Sequence, residues 1–161
     1  MSIMSTDGVT DGVADGDEPK LNLQSYLPYR MAVLSEVVAQ GLARQHLNRF
    51  HIAIPEWRVL ATLGAFSPLT AKAIGQHSRM HKTKVSRAVT ALEARSLLRS
   101  EVSPHDRREI NLWLSEEGQE LYRQIVPLAH AYQAEIVAGI DPQDLETMTR
   151  TMEIIFQRAD A

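Results

Sequence analysis

Residues 81–118, HKTKVSRAVTALEARSLLRSEVSPHDRREINLWLSEEG, are the stretch that decides the fold. In the first half, Val85, Val89 and Leu92 recur at intervals of three and four residues, which predicts a helix with one apolar side. The second half contains two short apolar alternations separated by a polar loop, which predicts a β-hairpin. We therefore expect a helix followed by a two-stranded hairpin.

The opposite side of this helix is polar and cationic. From Lys82 to Thr90 it is about 12 Å long at a rise of about 1.5 Å per residue, which is comparable with the width of the B-DNA major groove. Arginine, lysine, serine and threonine side chains can bind base edges or phosphate oxygens in such a groove. For an isolated helix of this kind, a solvated charged surface is the more common explanation. The candidate DNA-contacting residues of the helix are Lys82, Thr83, Lys84, Ser86, Arg87 and Thr90.

The predicted hairpin has a basic tip in the loop SPHDRR, residues 103–108. Asp106 can hold Arg108 by a charge-assisted hydrogen bond across the turn. A loop of this kind can place an arginine in the narrow minor groove of DNA, where the negative potential is strongest. We therefore add Asp106, Arg107 and Arg108 to the candidate DNA contacts.

A shorter helix is predicted immediately before the cationic one. Thr70 suits its N-cap, and residues 78–80 form a break before the cationic helix begins at about His81. A short helix, a tight turn and a longer helix make a helix-turn-helix, and Thr70 at its start joins the candidate DNA contacts. With the hairpin added as a wing, the unit is a winged helix.

Residues 106–118, DRREINLWLSEEG, resemble the D-x-R-x-x-x-L-x-L-[TS]-x-x-G signature of the multiple-antibiotic-resistance-regulator (MarR) family, and every fixed position fits. Residues 92–98, LEARSLL, are similar to that family's LExxGLI segment, except that Ser96 stands where glycine is usual. Because this position often requires a left-handed backbone, Ser96 is expected to cost up to about 1 kcal/mol. The similarity extends from about Tyr26 to Ile155. It implies a DNA-binding transcriptional regulator, most often a repressor, and not an enzyme.

The charge of the chain is unevenly distributed. Its net charge of −3 would normally argue against a nucleic-acid partner. However, residues 1–19 carry five acids and no lysine or arginine, whereas residues 70–110 carry nine basic and four acidic side chains, a net +5. Since the local field governs contact with phosphates, an acidic protein of this kind can still bind DNA.

Apolar repeats also predict long helices on both sides of the winged helix, at about 23–50 and 115–158. A winged helix needs neither of them, so their apolar faces require a partner. The apolar pattern alone fits a monomer that packs these helices on its own core almost as well as it fits a dimer. The resembled family, however, dimerises through such helices. A two-fold dimer would place the recognition helices about 34 Å apart and would bind a pseudo-palindromic operator.

The expected fold is therefore mainly α-helical with a small β-wing, namely a winged helix-turn-helix flanked by dimerisation helices. We expect a disordered acidic tail at 1–19 and a single domain at 20–161 whose DNA-binding lobe covers about 53–114. The first residues lack the basic start and apolar core of a signal peptide, and no apolar run reaches the roughly 18 residues of a membrane span. These features predict a cytoplasmic protein without a membrane partner.

The resemblance further implies a small-molecule effector that binds between the dimerisation helices and the DNA-binding lobe. Aromatic walls and a cation there would suit an anionic or aromatic ligand. Taken singly, these residues have simpler roles; Trp57, for example, is more typical of a core position. The candidates are Tyr26, Tyr29, Arg30, His46, His51, Trp57 and Arg58.

Other classes of function have weaker support. His77 and His81 have HxxxH spacing, but Ser78 stands where a zinc protease needs glutamate, and the predicted turn destroys the helical geometry. There is no cysteine, which excludes disulfides, thiolate zinc sites and a cysteine-based oxidant sensor. We predict no resident cofactor.

Two alternatives remain open. One is a winged helix used for protein interaction, which would have no need for the basic face. The other is a metal-responsive regulator, whose ligands would be His46, His51 and His130.

Overall fold

The computed structural model describes residues 19–104 and 106–161. The predicted acidic tail lies outside the described residues except for its last position, and so does His105 of the wing loop. The elements are α1 (Leu27–Gln45), a 3-10 turn (Leu47–Phe50), α2 (Ile54–Phe66), β1 (Leu69–Thr70), α3 (Ala71–Ser78), α4 (Lys82–Ala94), β2 (Leu98–Val102), β3 (Ile110–Leu114), α5 (Glu116–Ile136) and α6 (Pro142–Ala159).

The chain divides into two units, residues 1–35 and 36–161. The described part of the first unit is a turn at Asn22 followed by the first half of α1. The side-chain Oδ1 of Asn22 accepts a hydrogen bond from the N–H of Gln24 (3.0 Å), which closes the turn. Because this turn occupies the residues just before Leu27, the prediction that the helix begins at 23 was wrong.

The first helix also ends earlier than predicted. His46 leaves the helical conformation with φ −129° and ψ −48°, and the 3-10 turn that follows buries Leu47 completely. His51 ends this turn with a left-handed φ of 55°. Apolar residues continue through both segments, so their spacing alone does not show the break.

The core of the second unit lies between α2, α3, α4, α5 and the sheet. Pro55 stands in the first turn of α2, and Glu56 accepts a hydrogen bond from the N–H of Ala53 (2.9 Å), which fixes the helix start. The side chains that are fully buried in this core include Val59, Leu60, Leu63, Ile74, Leu92 and Ile125.

The predicted hairpin is confirmed as part of an antiparallel three-stranded sheet with the order β1-β3-β2. Arg99 of β2 lies opposite Trp113 of β3, and Leu98 lies opposite Leu114. The short strand β1 was not predicted, because a strand of two residues shows no alternation. It pairs with β3 and holds the start of α3 against the sheet.

The two C-terminal helices differ in how many of their side chains are buried. On α5, the buried Tyr132 donates a hydrogen bond from its hydroxyl to the carbonyl of Val38 (2.9 Å). The last helix begins at Pro142, because Asp141 caps it by accepting from the N–H of Gln143 (2.7 Å), but α6 contains no buried residue. Within the described part of the chain, no helix is long and apolar enough to cross a membrane.

Candidate nucleic-acid interface

Two helix caps and a left-handed residue position α4. The hydroxyl of Thr70 accepts a hydrogen bond from the N–H of Ala73 (3.2 Å) at the start of α3. Arg79 ends that helix with φ 52°, and His81 then caps α4, since its Nδ1 accepts from the N–H of Thr83 (3.3 Å). The predicted Thr70 cap, the break at residues 78–80 and the start of α4 at about His81 are therefore confirmed.

The recognition helix α4 has the two faces that the sequence predicts. Its buried side consists of Val85, Ala88, Val89 and Leu92. All the predicted contact residues on the other side are exposed, and Lys82, Lys84 and Arg87 form no ion pair within 4.0 Å with any residue that the structure describes. Their charges are therefore available to an external anion. The exposed polar residues are Lys82, Thr83, Lys84, Ser86, Arg87 and Thr90.

The tip of the wing is held by its own main chain. Ser103 donates its N–H to the carbonyl of Glu109 (2.8 Å), and Glu109 donates its N–H to the carbonyl of Asp106 (2.9 Å). Asp106 accepts a hydrogen bond from the main-chain N–H of Arg108 (2.9 Å), in place of the charge-assisted bond that was predicted across the turn. Asp106 therefore shapes the turn, and the side chains of Arg107 and Arg108 are exposed.

The wing is joined to α5 by a compact junction. The hydroxyl of Ser115 donates to the carbonyl of Ser96 (2.7 Å) and accepts from the N–H of Gly118 (3.0 Å). Ser96 has φ 57°, so the left-handed backbone expected at this position is confirmed. Gly118 contacts the carbonyl of Leu97 so closely that a Cβ would lie 2.0 Å from the oxygen. The signature residues Ser115 and Gly118 therefore hold the start of α5 against Ser96 and Leu97, the residues that directly precede the wing.

Two of the basic residues that contribute to the local positive charge are bound to groups that lie far away in the sequence. Arg95 donates to the carbonyls of His51 (2.7 Å) and Phe50 (3.0 Å). Arg79 forms an ion pair with Asp160 (2.7 Å) at the end of α6. Sequence reasoning missed these roles because the partners are distant in the sequence. His51 lies 44 residues from Arg95, and Asp160 lies 81 residues from Arg79.

The predicted effector-binding residues fall in both units. Those of the first unit, near the start of α1, are the exposed Tyr26, Tyr29 and Arg30. In the second unit, His51 and Arg58 are also exposed. These positions remain predictions for a ligand site.

His46 and Trp57 are partly buried. His46 meets the ring of Tyr132 edge-on, with centroids 6.3 Å apart, and its buried Nδ1 has no hydrogen-bond partner among the residues that the structure describes. Trp57 packs against the core and stacks on Tyr122 at 6.1 Å. The described residues contain no group of three histidine, cysteine, aspartate or glutamate side chains that could hold a metal ion, so the metal-responsive alternative is not favoured.

A short helix, a tight turn, an exposed cationic helix and an antiparallel wing define a winged helix-turn-helix protein. The MarR family model matches residues 52–109, which include α2, the helix-turn-helix, β2 and the wing loop but not β3. Together with the structural relatives, this match supports a winged-helix transcriptional regulator of the MarR family.

Relatives in sequence and in structure agree with this assignment. The chain is 20% identical over 103 residues to YwaE of Bacillus subtilis, an uncharacterised HTH-type transcriptional regulator, and the match spans 64% of this chain but only 60% of YwaE. A MarR-family regulator from Silicibacter pomeroyi is 27% identical, with a TM-score of 0.74 and coverage of 85% of this chain and 91% of that one. PcaV from Streptomyces coelicolor, solved with its natural ligand, is 19% identical and has the same fold, with a TM-score of 0.71 over 89% and 99% of the two chains.

These relatives are transcriptional regulators and not enzymes. The comparisons therefore support a DNA-binding transcriptional regulator, which agrees with the function predicted from the sequence at this coarse level.

Proposed function

We propose that the protein is a homodimeric, ligand-responsive repressor that binds a pseudo-palindromic operator. The observation that carries the proposal is the unpaired cationic surface of α4, which lies in the same folded unit as the two exposed arginines at the wing tip. Protein-interaction winged helices have no need for such a surface, which favours DNA over a protein as the partner.

In the proposed complex, α4 enters the major groove. Arg87 lies in the middle of its exposed face and can bind guanine bidentately, while Lys82 and Lys84 near the N-terminus contact guanine or phosphate. The hydroxyl groups of Thr83, Ser86 and Thr90 complete this surface, and Thr70 contacts the backbone beside it.

The wing then approaches the adjacent minor groove. Asp106 holds the main-chain N–H of Arg108, and the exposed side chains of Arg107 and Arg108 can then reach into this groove. The narrow minor groove attracts a guanidinium because the phosphate potential is concentrated there.

We assign the flanking helices to dimerisation and residues 53–114 to the DNA-binding lobe. Met148, Met152 and Phe156 are spaced by four residues on one side of α6, and each is about half exposed. On α1, Leu34 and Val37 are also well exposed. A second copy of the chain would cover these apolar side chains.

The ligand-responsive part of the proposal is supported by PcaV, the relative that was solved with its natural ligand. An effector would release the operator if it binds the arrangement of the dimer that cannot bind DNA more tightly, by a few kcal/mol, than the arrangement that can. The seven residues predicted from the sequence remain candidates for contact with such an effector.

The DNA contacts can be tested with an operator enriched from a random DNA pool. Fluorescence anisotropy at several salt concentrations would compare Arg87→Ala and Arg108→Ala with the control Arg150→Ala, an exposed arginine of α6. Arg87→Ala should lose about 1–3 kcal/mol of discrimination between operator and unrelated DNA. Arg108→Ala should reduce the slope of log K against log salt by about 1. Undiminished affinity and an unchanged slope for Arg108→Ala would refute the wing contact.

The dimer can be tested separately by analytical ultracentrifugation. Met152→Glu places a carboxylate in the exposed apolar row of α6 and should convert the dimer into monomers, whereas Gln157→Glu places one on the opposite side and should not. A wild-type protein that sediments as a monomer at micromolar concentration would contradict the proposal.

A further inference from the structure

The turn of the helix-turn-helix carries an arginine whose acidic partner lies 81 residues away in the sequence. The guanidinium of Arg79 donates to the carboxylate of Asp160 (2.7 Å) and lies 5.2 Å from the ring centroid of Phe156. Both partners belong to the end of α6, which is part of the same unit as α3 and α4. We propose that Arg79 is a further contact for the DNA backbone and that Asp160 competes with a phosphate for it. This role rests on the DNA-binding part of the proposed function.

Arg79 lies beside the surface that is assigned to DNA. It lines an open channel of about 1090 Å³ between α3, α4 and β3, and the lining includes Lys82 and Ser86 of the recognition helix. Lys72 also lines the channel, and Glu93 is the one acidic residue among the described residues that do so. Since a sugar-phosphate backbone separates the major groove of DNA from the minor groove, the strand between α4 and the wing is expected to follow this channel. A phosphate of that strand would then lie within reach of Arg79.

The backbone of Arg79 is unusual for an arginine. The residue ends α3 with φ 52° and ψ 32°, the left-handed conformation that glycine adopts most easily. For a residue with a Cβ this conformation costs about 1–2 kcal/mol. Such a cost is often found where a side chain has a function. Because glycine would suit the turn better, the turn alone does not explain the arginine.

The ion pair with Asp160 can be exchanged at low cost. The side chains of Arg79 and Asp160 are 59% and 50% exposed, and exposed ion pairs contribute only about 0–1 kcal/mol. A guanidinium binds phosphate and carboxylate oxygens with the same geometry. Rotation of the arginine side chain is therefore enough to replace the carboxylate by a phosphate, and α6 itself need not move.

Asp160 has the charge and the position of a competitor. It stands at the carboxyl end of α6, where the helix dipole disfavours a negative charge. Since α6 contains no buried residue, packing of the helix does not require the carboxylate either. In the free protein, this carboxylate holds the guanidinium that a phosphate would need. Asp160 therefore lowers the affinity for DNA, and its removal should raise it.

The contact of Arg79 can be measured by fluorescence anisotropy with the enriched operator and with an unrelated duplex of equal length. Because a phosphate contact is independent of sequence, Arg79→Gln should weaken binding to both duplexes by the same factor, about three- to tenfold. The slope of log K against log salt should fall by about 1. Arg79→Lys keeps the charge and should keep the slope. The control Arg150→Gln, which removes an exposed arginine of α6, should bind as the wild type does.

The competition is tested by removing the acid. Asp160→Asn should bind both duplexes about two- to fivefold more tightly, because Arg79 no longer has to give up its partner. The gain should disappear when Arg79→Gln is added. Glu146→Gln is the matched control, because it removes one negative charge from an exposed position of the same helix, about 20 Å away at a rise of about 1.5 Å per residue. At 0.15 M salt the Debye length is about 8 Å, so this variant should change the affinity little.

The inference is overturned if Arg79→Gln keeps the affinity and the slope of the wild type. It is also overturned if Asp160→Asn and Glu146→Gln raise the affinity equally, or if the gain of Asp160→Asn persists in Arg79→Gln. Thermal melts would verify that each variant is folded.

The same titrations separate this role from the proposed function. If the wild type binds neither duplex, DNA binding itself is refuted. If Arg87→Ala loses discrimination between the duplexes but Arg79→Gln binds as the wild type does, only the role of Arg79 is refuted.

Discussion

Gly118→Ala is the substitution that most directly challenges the junction between the wing and α5. The glycine is buried, and an added Cβ would lie 2.0 Å from the carbonyl oxygen of Leu97. That carbonyl also accepts the N–H of Ser115 at 3.1 Å, so the methyl group and the hydrogen bond compete for the same space. The obstacle is main chain, which cannot rotate away as a flexible side chain could.

The cost follows from what must move. To restore an ordinary contact, the first turn of α5 and Leu97 must separate by more than 1 Å. This displacement would break the Ser115 bonds to Leu97 and Ser96, at about 1 kcal/mol each, and would add about 1–3 kcal/mol of strain. The higher helix propensity of alanine returns about 1 kcal/mol. We expect the free energy of unfolding to fall by about 2–4 kcal/mol.

Urea unfolding followed by circular dichroism at one fixed protomer concentration would measure this loss. The midpoint should fall by about 1–2 M for Gly118→Ala. For the control Gln133→Ala, an exposed position on the same helix, it should stay within about 0.3 M. Equal midpoints for the two variants would refute the close approach of α5 to Leu97.

Three smaller effects can be measured in the same unfolding assay. Ser96→Gly should raise the free energy of unfolding by about 0.5–1 kcal/mol, because glycine adopts φ 57° without strain. A lower free energy of unfolding would show that the serine hydroxyl stabilises the fold instead. Arg95→Ala should destabilise by about 1–2 kcal/mol through loss of two bonds to carbonyls of the 3-10 turn, and Arg95→Lys should recover less than half of this loss. Thr70→Ala should lower the free energy of unfolding by about 1 kcal/mol, because the hydroxyl that caps α3 is lost, whereas Thr70→Ser keeps the hydroxyl and should change it very little. Equal losses for the two variants would contradict the capping role of the hydroxyl.

Features of the fold that depend on neighbouring residues could be predicted from the sequence. Thr70 and Asp141 cap helices through N–H groups only two or three residues away, and the alternation of the wing strands is equally local. The exposed cationic face of α4 follows from the spacing of its apolar residues. The left-handed conformation of Ser96 was also predictable, because helix ends of this kind commonly need it.

The remaining features depend on contacts between distant parts of the chain. The end of α1 at Gln45 is invisible to apolar spacing, which continues into the buried Leu47. Nor does the local sequence distinguish Arg95, which binds main-chain carbonyls, from Arg87, whose side chain is exposed. The ion pair between Arg79 and the end of α6 joins elements that are far apart in the sequence, so only the folded chain reveals it.

Protection of guanine N7 atoms from methylation, measured on the enriched operator, tests the central claim most directly. If a two-fold dimer places one α4 in each of two successive major grooves, protected guanines should form two clusters about 10 base pairs apart on one face of the DNA. Arg87→Ala should lose protection in both clusters at once, while Arg150→Ala should keep it. A single protected cluster, or protection that is unchanged in Arg87→Ala, would contradict the account.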